Sequence, residues 1–162
     1  MLDPRARWSH IGEKPDYAGL LTFCGLPYTE DPGELTGTDA VIVELGANDM
    51  LRGIDPQVTR EALDAILARL AQRHIAVMLC GMRAAPNLGV DYGHAFERIY
   101  PELAAKYRAV FYPFFLDGVA ADRTLTQPDG MHPNAAGVAV IVRRILPTVQ
   151  EFTARARAQK QS

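Results

Sequence analysis

Serine is scarce in this sequence. The 162 residues contain only two serines, Ser9 and Ser162, and neither lies in an obvious nucleophile motif. Catalysis by a serine hydroxyl is therefore restricted to these two positions, of which Ser162 ends a polar stretch.

Cysteine is equally rare, and the two that occur, Cys24 and Cys80, lie far from any Cys/His cluster. Zinc sites need several clustered ligands, and one possible cysteine pair does not make a disulfide framework. We therefore predict that both thiols are packed in the interior, and we expect neither a metal nor a cofactor.

Long apolar runs and an excess of positive charge are also absent. No stretch approaches the roughly 20 apolar residues of a membrane span, and the net charge is -2 with scattered basic residues. These features argue against a membrane span and a nucleic-acid partner, and they favour a small, weakly charged ligand. Residues 1–17 lack the apolar segment of a secretory signal, so the expected location is the cytoplasm.

From Asp39 onward, apolar runs rich in β-branched residues alternate with amphipathic helical patterns. This alternation predicts a three-layer α/β/α sandwich with a parallel sheet. Strands are predicted at 40–45, 75–82 and 109–115, and helices at 56–73, at 92–107 and from Asn134 onward.

Composition divides the chain into three parts. Residues 1–38 are rich in proline, glycine and acidic residues and are predicted to form an arm, with one strand-like apolar run at 19–23. Residues 39–150 form the predicted domain, and residues 151–162 a polar C-terminal tail.

Loops that follow parallel strands meet at the carboxyl edge of the sheet, where ligands bind. The loop "DGMH" carries Asp129 and His132 three residues apart, so the carboxylate can reach Nδ1 and leave Nε2 to act as a base. In the loop "GAND", Asn48 can donate its side-chain amide to a developing oxyanion, and Gly46 permits a tight turn. This set of groups favours acyl transfer.

Each of these residues, taken alone, also has a structural interpretation. Asp129 with Gly130 is a common turn pair, and Asn48 with Asp49 often forms a turn or a helix cap. A metal site at Asp129 and His132 is a third interpretation, but no second histidine or acidic cluster completes it.

The motifs "VIVELGANDMLRGIDP" (41–56) and "DGMHPNAAG" (129–137) resemble those of the SGNH, or GDSL-type, hydrolases. The nearest branch is that of the arylesterases and acyl-CoA thioesterase I, also called lysophospholipase L1. The resemblance follows the family's order of motifs and extends from Asp39 to about Gln150.

The resemblance implies a flavodoxin-like sandwich and a serine esterase or thioesterase that needs no cofactor. It makes Asn48 an oxyanion-hole donor, and Asp129 and His132 the acid and base of the triad. We expect Leu51 and Asn87 to border the acyl pocket.

The front of the chain departs from that family. No Gly-Asp-Ser motif occurs, and the family's first strand is missing or replaced. Residues 10–43 instead resemble the N-terminal arm of agmatinase-type ureohydrolases, without the metal motifs that guanidino hydrolysis requires. We hypothesise that two sequences are joined near "TDAVIV".

The nucleophile has three alternatives. Ser9 requires the arm to fold back over the sheet edge to reach His132. Cys24 requires residues 19–23 to replace the missing strand, because it would then end that strand close to the family's serine position. The third alternative is that no nucleophile is present.

Loss of the family's central first strand would leave the strand at 40–45 with an unpaired edge, and such edges recruit partners. We predict either that residues 19–23 pair with this edge or that two chains form a homodimer across it.

Three functions follow. The first is hydrolysis of short to medium acyl esters or thioesters, with Ser9 attacking, His132 as base, Asp129 orienting it and Asn48 stabilising the oxyanion. The second is a catalytically impaired remnant or ligand-binding module that lacks a nucleophile. The third, a structural assembly unit, rests only on the exposed edge.

Overall fold

The computed structural model describes residues 38–161. Its strands are β1 (Ala40–Val43), β2 (Ala76–Cys80) and β3 (Val110–Tyr112), which form one parallel sheet in the order β1-β2-β3. In β1 and β2 the paired residues run from Ala40 opposite Ala76 to Val43 opposite Leu79. In β2 and β3 they run from Met78 opposite Val110 to Cys80 opposite Tyr112.

Five α-helices accompany the sheet in the described part of the chain. None of them is both long enough and apolar enough to cross a bilayer. They are α1 (Ala47–Leu51), α2 (Pro56–Gln72), α3 (Val90–Glu97), α4 (Ile99–Tyr107) and α5 (Ala135–Gln161), with a short 3₁₀ helix at Pro86–Leu88.

Helix α2 begins as the sequence predicts. The Asp55 carboxylate accepts a hydrogen bond from the Gln57 backbone amide at 2.8 Å, and Pro56 occupies the first helical turn, where its missing N–H is not needed.

The single helix predicted at 92–107 is two helices, α3 and α4, separated at Arg98. Pro101 explains the break, because it has no N–H to donate to the carbonyl of Glu97. The chain stays close to helical at Arg98, where φ is -66° and ψ is -22°, so the apolar faces of α3 and α4 remain aligned.

Side chains that alternate along the strands face two separate apolar layers. On one face, Val43 and Leu79 pack with buried residues of α2, α3 and α4. On the other face, Met78 and Cys80 pack with buried residues of α5, Val149 and Phe152. The sheet therefore lies between two helical layers.

The segment at 151–162 is not the polar tail that the sequence predicts. Helix α5 continues to Gln161, and Phe152 and Ala156 within it are only 3% and 9% exposed. The local composition indicates a polar tail because exposed charged residues surround a narrow apolar stripe.

The C-terminal end of α5 is fixed at the amino edge of the sheet. Gln159 Nε2 donates to the carbonyl of His74, just before β2, and Lys160 Nζ lies 2.7 Å from Asp39 Oδ2, just before β1. Because α5 has 27 residues and is about 40 Å long at 1.5 Å per residue, it begins at the opposite, carboxyl edge.

Several predictions for the front of the chain fall outside the described residues. They include the arm, Ser9, Cys24 and the replacement strand at 19–23. Among the described strands, β1 pairs on one side only, with β2. Its pairing with 19–23 or with a second chain stays a prediction.

Truncation of Phe152 tests the packing of the C-terminal segment. Phe152→Ala should lower the free energy of unfolding by about 3–5 kcal/mol, because it leaves a cavity between α5 and the sheet. Val142→Ala is the matched control, since Val142 on the same helix is 54% exposed and should change stability by less than about 0.5 kcal/mol. Equal effects of the two variants in urea unfolding would contradict the docked helix.

Candidate active site

The segment that follows β1 turns sharply at Gly46, where φ is 101° and ψ is -12°. A Cβ at this position would overlap the hydroxyl oxygen of Tyr100. Both the backbone conformation and the lack of space therefore require glycine, as the sequence predicts. The residues after Gly46, expected to form a loop, form the short helix α1, which carries an exposed Asn48 and a half-exposed Leu51.

Asp49 anchors α1 on the protein interior. Its side chain is 2% exposed, and its Oδ2 accepts a hydrogen bond from Thr59 Oγ1 of α2 at 3.1 Å. In the sequence, Asp49 has only the pattern of a turn pair with Asn48. Its burial, which no local pattern signals, fixes the helix that presents Asn48.

The loop after β2 contacts α1 directly. The backbone amide of Ala85 donates to the Met50 sulfur at 3.4 Å. Asn87 lies exposed in the adjacent 3₁₀ helix. The predicted substrate-contacting residues Leu51 and Asn87 thus belong to neighbouring segments.

The side chains of Asp129 and His132 are in direct contact. His132 Nδ1 lies 2.6 Å from Asp129 Oδ2, while Asp129 Oδ1 accepts backbone hydrogen bonds from Met131 at 2.9 Å and His132 at 3.0 Å. Gly130 supplies the positive φ, 72°, that the turn needs. The turn at Gly130 and the contact between Asp129 and His132 therefore occur together in one loop, and the acid–base role of the two residues stays a prediction.

The charge state of Asp129 follows from these contacts. The hydrogen bond from the His132 ring is the largest effect, and with the two backbone amides it lowers the pKa of Asp129 to about 2. An ionised carboxylate can only accept, so in the neutral imidazole the proton resides on Nδ1. Nε2 is then free to accept a proton, and the His132 side chain is 69% exposed.

Asn134 fixes this loop to the start of α5. Its side-chain amide donates to the carbonyls of Thr124 and Thr126, and its Oδ1 accepts from the Gly137 amide at 3.0 Å. This confirms the predicted helix cap. A Cβ at Gly137 would overlap the Leu125 carbonyl oxygen, so the loop lies against the first turn of the helix.

The direction of α5 places the loop at 129–132 at the carboxyl edge of the sheet. The segment bearing Gly46 and Asn48 leaves β1 at the same edge, because all three strands are parallel. The Asp129–His132 contact and the Asn48 side chain therefore lie at the same edge of the sheet, whereas Ser9 lies outside the described residues.

Cys80 is excluded as a nucleophile by its surroundings. It is fully buried, and this burial, followed by the negative charge of Glu44, raises the pKa of the thiol to about 12. The prediction of a packed thiol is confirmed for Cys80. Within residues 38–161, no group of three or more metal-binding side chains gathers.

Comparison with known proteins gives consistent matches. Residues 11–140 match the GDSL-like Lipase/Acylhydrolase family. Esterase TesA of Pseudomonas aeruginosa is 34% identical over 110 residues, 68% of this chain and 55% of that protein. Thioesterase 1/protease 1/lysophospholipase L1 of Escherichia coli is 40% identical over 94 residues, 58% of this chain and 45% of that protein. The chain spans about half the length of these relatives.

The solved structures show the same architecture. The crystal structure of TesA superposes with a TM-score of 0.74 at 32% identity, covering 83% of this chain and 74% of that one. This likeness and the layers described above confirm the predicted α/β sandwich.

The short contact with His132 should be visible in the titration of Asp129. Its pKa of about 2 lies below the usual 3.8, so the pair stabilises the fold above about pH 4 and this contribution is lost as the pH falls towards 2. Carbon-13 NMR of the Asp129 carboxyl group should still show a carboxylate at about pH 3. In His132→Ala the midpoint should rise towards the usual value; a midpoint near 3.8 in the unmutated chain would contradict the contact.

Proposed function

The chain belongs to the GDSL-like lipase/acylhydrolase family, and we propose that it acts as an ester or thioester hydrolase by acyl transfer. The resemblance noted in the sequence, including the thioesterase and lysophospholipase branch, is confirmed. Since the chain covers only about half of its relatives' length, the activity itself is our proposal.

One observation carries this proposal: the 2.6 Å contact between Asp129 Oδ2 and His132 Nδ1. With Nδ1 held by the carboxylate, Nε2 takes the proton from the attacking group as its oxygen or sulfur bonds to the acyl carbon. The carbonyl electrons move to oxygen, and as they return, the leaving alcohol or thiol departs with the proton from Nε2. In the second half, water attacks the acyl carbon while Nε2 takes a proton from it. The nucleophile then departs with that proton, and the free acid is released.

Asn48 is proposed to stabilise the oxyanion. A side-chain amide donates a stronger hydrogen bond to the oxygen once negative charge develops on it, and such a difference between substrate and transition state is what lowers the barrier. Its exposure on α1 and its position at the carboxyl edge support this role. Leu51 and Asn87 are proposed to border the acyl group, and Gly46 to permit the turn.

The identity of the nucleophile is part of the proposal. The family match covers residues 11–140, and this range contains no serine. Ser9, our first candidate, lies two residues before the match, and Cys24, the alternative, lies within it. The match also includes residues 11–38, whose composition predicts a separate arm, so the join near "TDAVIV" stays a hypothesis.

The absence of serine from the matched range favours a second candidate function, a ligand-binding module. In that case the loop at 129–132 and Asn48 would bind an acyl compound without cleaving it.

Hydrolysis of p-nitrophenyl acetate tests the role of His132. His132→Ala should reduce kcat by about 100-fold or more, because the attacking group loses its base. His94→Ala is the matched control, since His94 is an exposed histidine on α3, and it should leave the rate unchanged. Equal rates in both variants would show that the loop at 129–132 serves only as a turn.

Two further variants separate the nucleophile candidates. Ser9→Ala should abolish hydrolysis while Cys24→Ala retains it, because only the attacking group forms the acyl intermediate. The reverse pattern would assign the reaction to Cys24. An unmutated chain that binds but does not hydrolyse the ester would establish the binding module instead.

A further inference from the structure

Three aromatic side chains spaced four residues apart line α3 and α4. Tyr92 and Phe96 are stacked, with ring centroids 6.0 Å apart, and Phe96 meets Tyr100 edge to face at 5.6 Å. Phe96 and Tyr100 are buried. The sequence predicts these residues as the apolar face of a helix. That prediction explains why the rings are packed inside, but it gives no role to the hydroxyl groups of the two tyrosines.

The two hydroxyl groups bind the two ends of the segment that carries Asn48. Tyr100 donates to the carbonyl of Leu45 at 3.0 Å, and Tyr92 donates to the carbonyl of Ile54 at 2.8 Å. Leu45 precedes α1 and Ile54 follows it. The hydroxyl groups of Tyr92 and Tyr100 therefore bind both ends of residues 45–54. These two hydrogen bonds are called the clasp below.

Backbone hydrogen bonds within residues 45–54 connect the two ends of the segment to α1. The Met50 amide donates to the Gly46 carbonyl, and the Ile54 amide donates to the Asp49 carbonyl, both at 3.0 Å. Because of these bonds, a displacement at Leu45 or Ile54 is transmitted to α1.

The hydroxyl groups of Tyr92 and Tyr100 stay protonated near neutral pH and therefore remain hydrogen-bond donors. Burial, followed by the charges of Glu44 and Asp49, raises the pKa of Tyr100 well above its usual value. Burial, with Asp49 and Asp55, raises the pKa of Tyr92 as well. A protonated hydroxyl facing a backbone carbonyl is a stable donor–acceptor pair.

The Tyr100 hydroxyl also fills the space beside Gly46. A Cβ at residue 46 would overlap the hydroxyl oxygen, whereas the nearest ring carbon, Cζ, would be 3.5 Å away, an ordinary contact. The Tyr100 hydroxyl therefore occupies the space that a Cβ at residue 46 would need. The same hydroxyl donates to the carbonyl of Leu45, the preceding residue. We call this fit the shape match between Gly46 and Tyr100.

We propose that Tyr92 and Tyr100 are positioning residues that hold the segment 45–54, and with it the Asn48 amide, in the conformation needed at the oxyanion. The proposal rests on the proposed function where it assigns that role to Asn48. The clasp itself is a structural claim that is measurable without activity.

Hydrogen exchange of the Met50 and Ile54 amides tests the clasp. In Tyr100→Phe and Tyr92→Phe these amides should exchange about 10-fold faster, because the segment opens locally more often. Tyr107→Phe is the matched control: it lies on α4 with Tyr100, and its hydroxyl donates to Asp64 of α2 at 2.8 Å. Exchange rates that match those of the control would overturn the clasp.

Kinetics with p-nitrophenyl acetate test the positioning of Asn48. Asn48→Ala, which removes the donor, should lower kcat by roughly 100- to 1000-fold. Tyr100→Phe should lower kcat by about 10-fold with KM changed less than about twofold, because a displaced donor affects the transition state more than substrate binding. Tyr107→Phe should change neither constant.

The shape match between Gly46 and Tyr100 gives a rescue experiment. Gly46→Ala should accelerate exchange of the Met50 amide strongly, because the added Cβ overlaps the Tyr100 hydroxyl oxygen and residue 46 has a positive φ of 101°. Adding Tyr100→Phe removes the overlap but leaves the backbone strain, so the double variant should exchange more slowly than the product of the two single effects predicts. Additive effects would contradict the match.

The outcomes separate the two claims. Fast exchange in the tyrosine variants with no kinetic effect of Asn48→Ala would keep the clasp and reject the oxyanion role of Asn48, whereas fast exchange in a chain that hydrolyses no ester would keep the clasp and reject the proposed function. A large effect of Asn48→Ala with unchanged exchange and kcat in the tyrosine variants would keep the function and reject the inference.

Discussion

The hydrogen bond between Asp129 and His132 depends on the loop that surrounds it. A three-residue separation brings a carboxylate to Nδ1 only if the chain turns tightly, and here Gly130 and the backbone amides of residues 131 and 132 make that turn. The His132 ring, followed by the same amides, lowers the pKa of Asp129 and keeps the carboxylate ionised, and an ionised carboxylate fixes the imidazole tautomer. The turn that brings Asp129 to His132 therefore also helps to set the charge of the carboxylate and the tautomer of the imidazole.

The remaining architecture serves to bring this loop and Asn48 to one edge of the sheet. The parallel strands place the turn at Gly46 at the carboxyl edge of the sheet. Helix α5 crosses the face of the sheet that α2, α3 and α4 do not cover, and it begins at the same edge. Contacts at the far end of α5, from Gln159 and Lys160, fix that direction. The C-terminal segment thus helps to place His132, although it lies far from it.

The sequence predicted those features that follow from local rules. The spacing of Asp129 and His132, the glycine at 46 and the cap at Asn134 each need only a few neighbouring residues. The helical end of α5 and the hydroxyl contacts of Tyr92 and Tyr100 were missed because they depend on partners tens of residues away. A phenylalanine and a tyrosine give the same helical pattern, so only the fold reveals which hydroxyl has an acceptor.

We propose that His132 Nε2 and the Asn48 amide face one acyl group. A crystal structure of the chain with a bound phosphonate ester, which imitates the tetrahedral intermediate, measures this directly. We predict one phosphonyl oxygen about 2.7–3.1 Å from Asn48 Nδ2, and His132 Nε2 within hydrogen-bonding distance of another oxygen on phosphorus. A structure in which the two side chains point to different sides of the molecule would contradict the account.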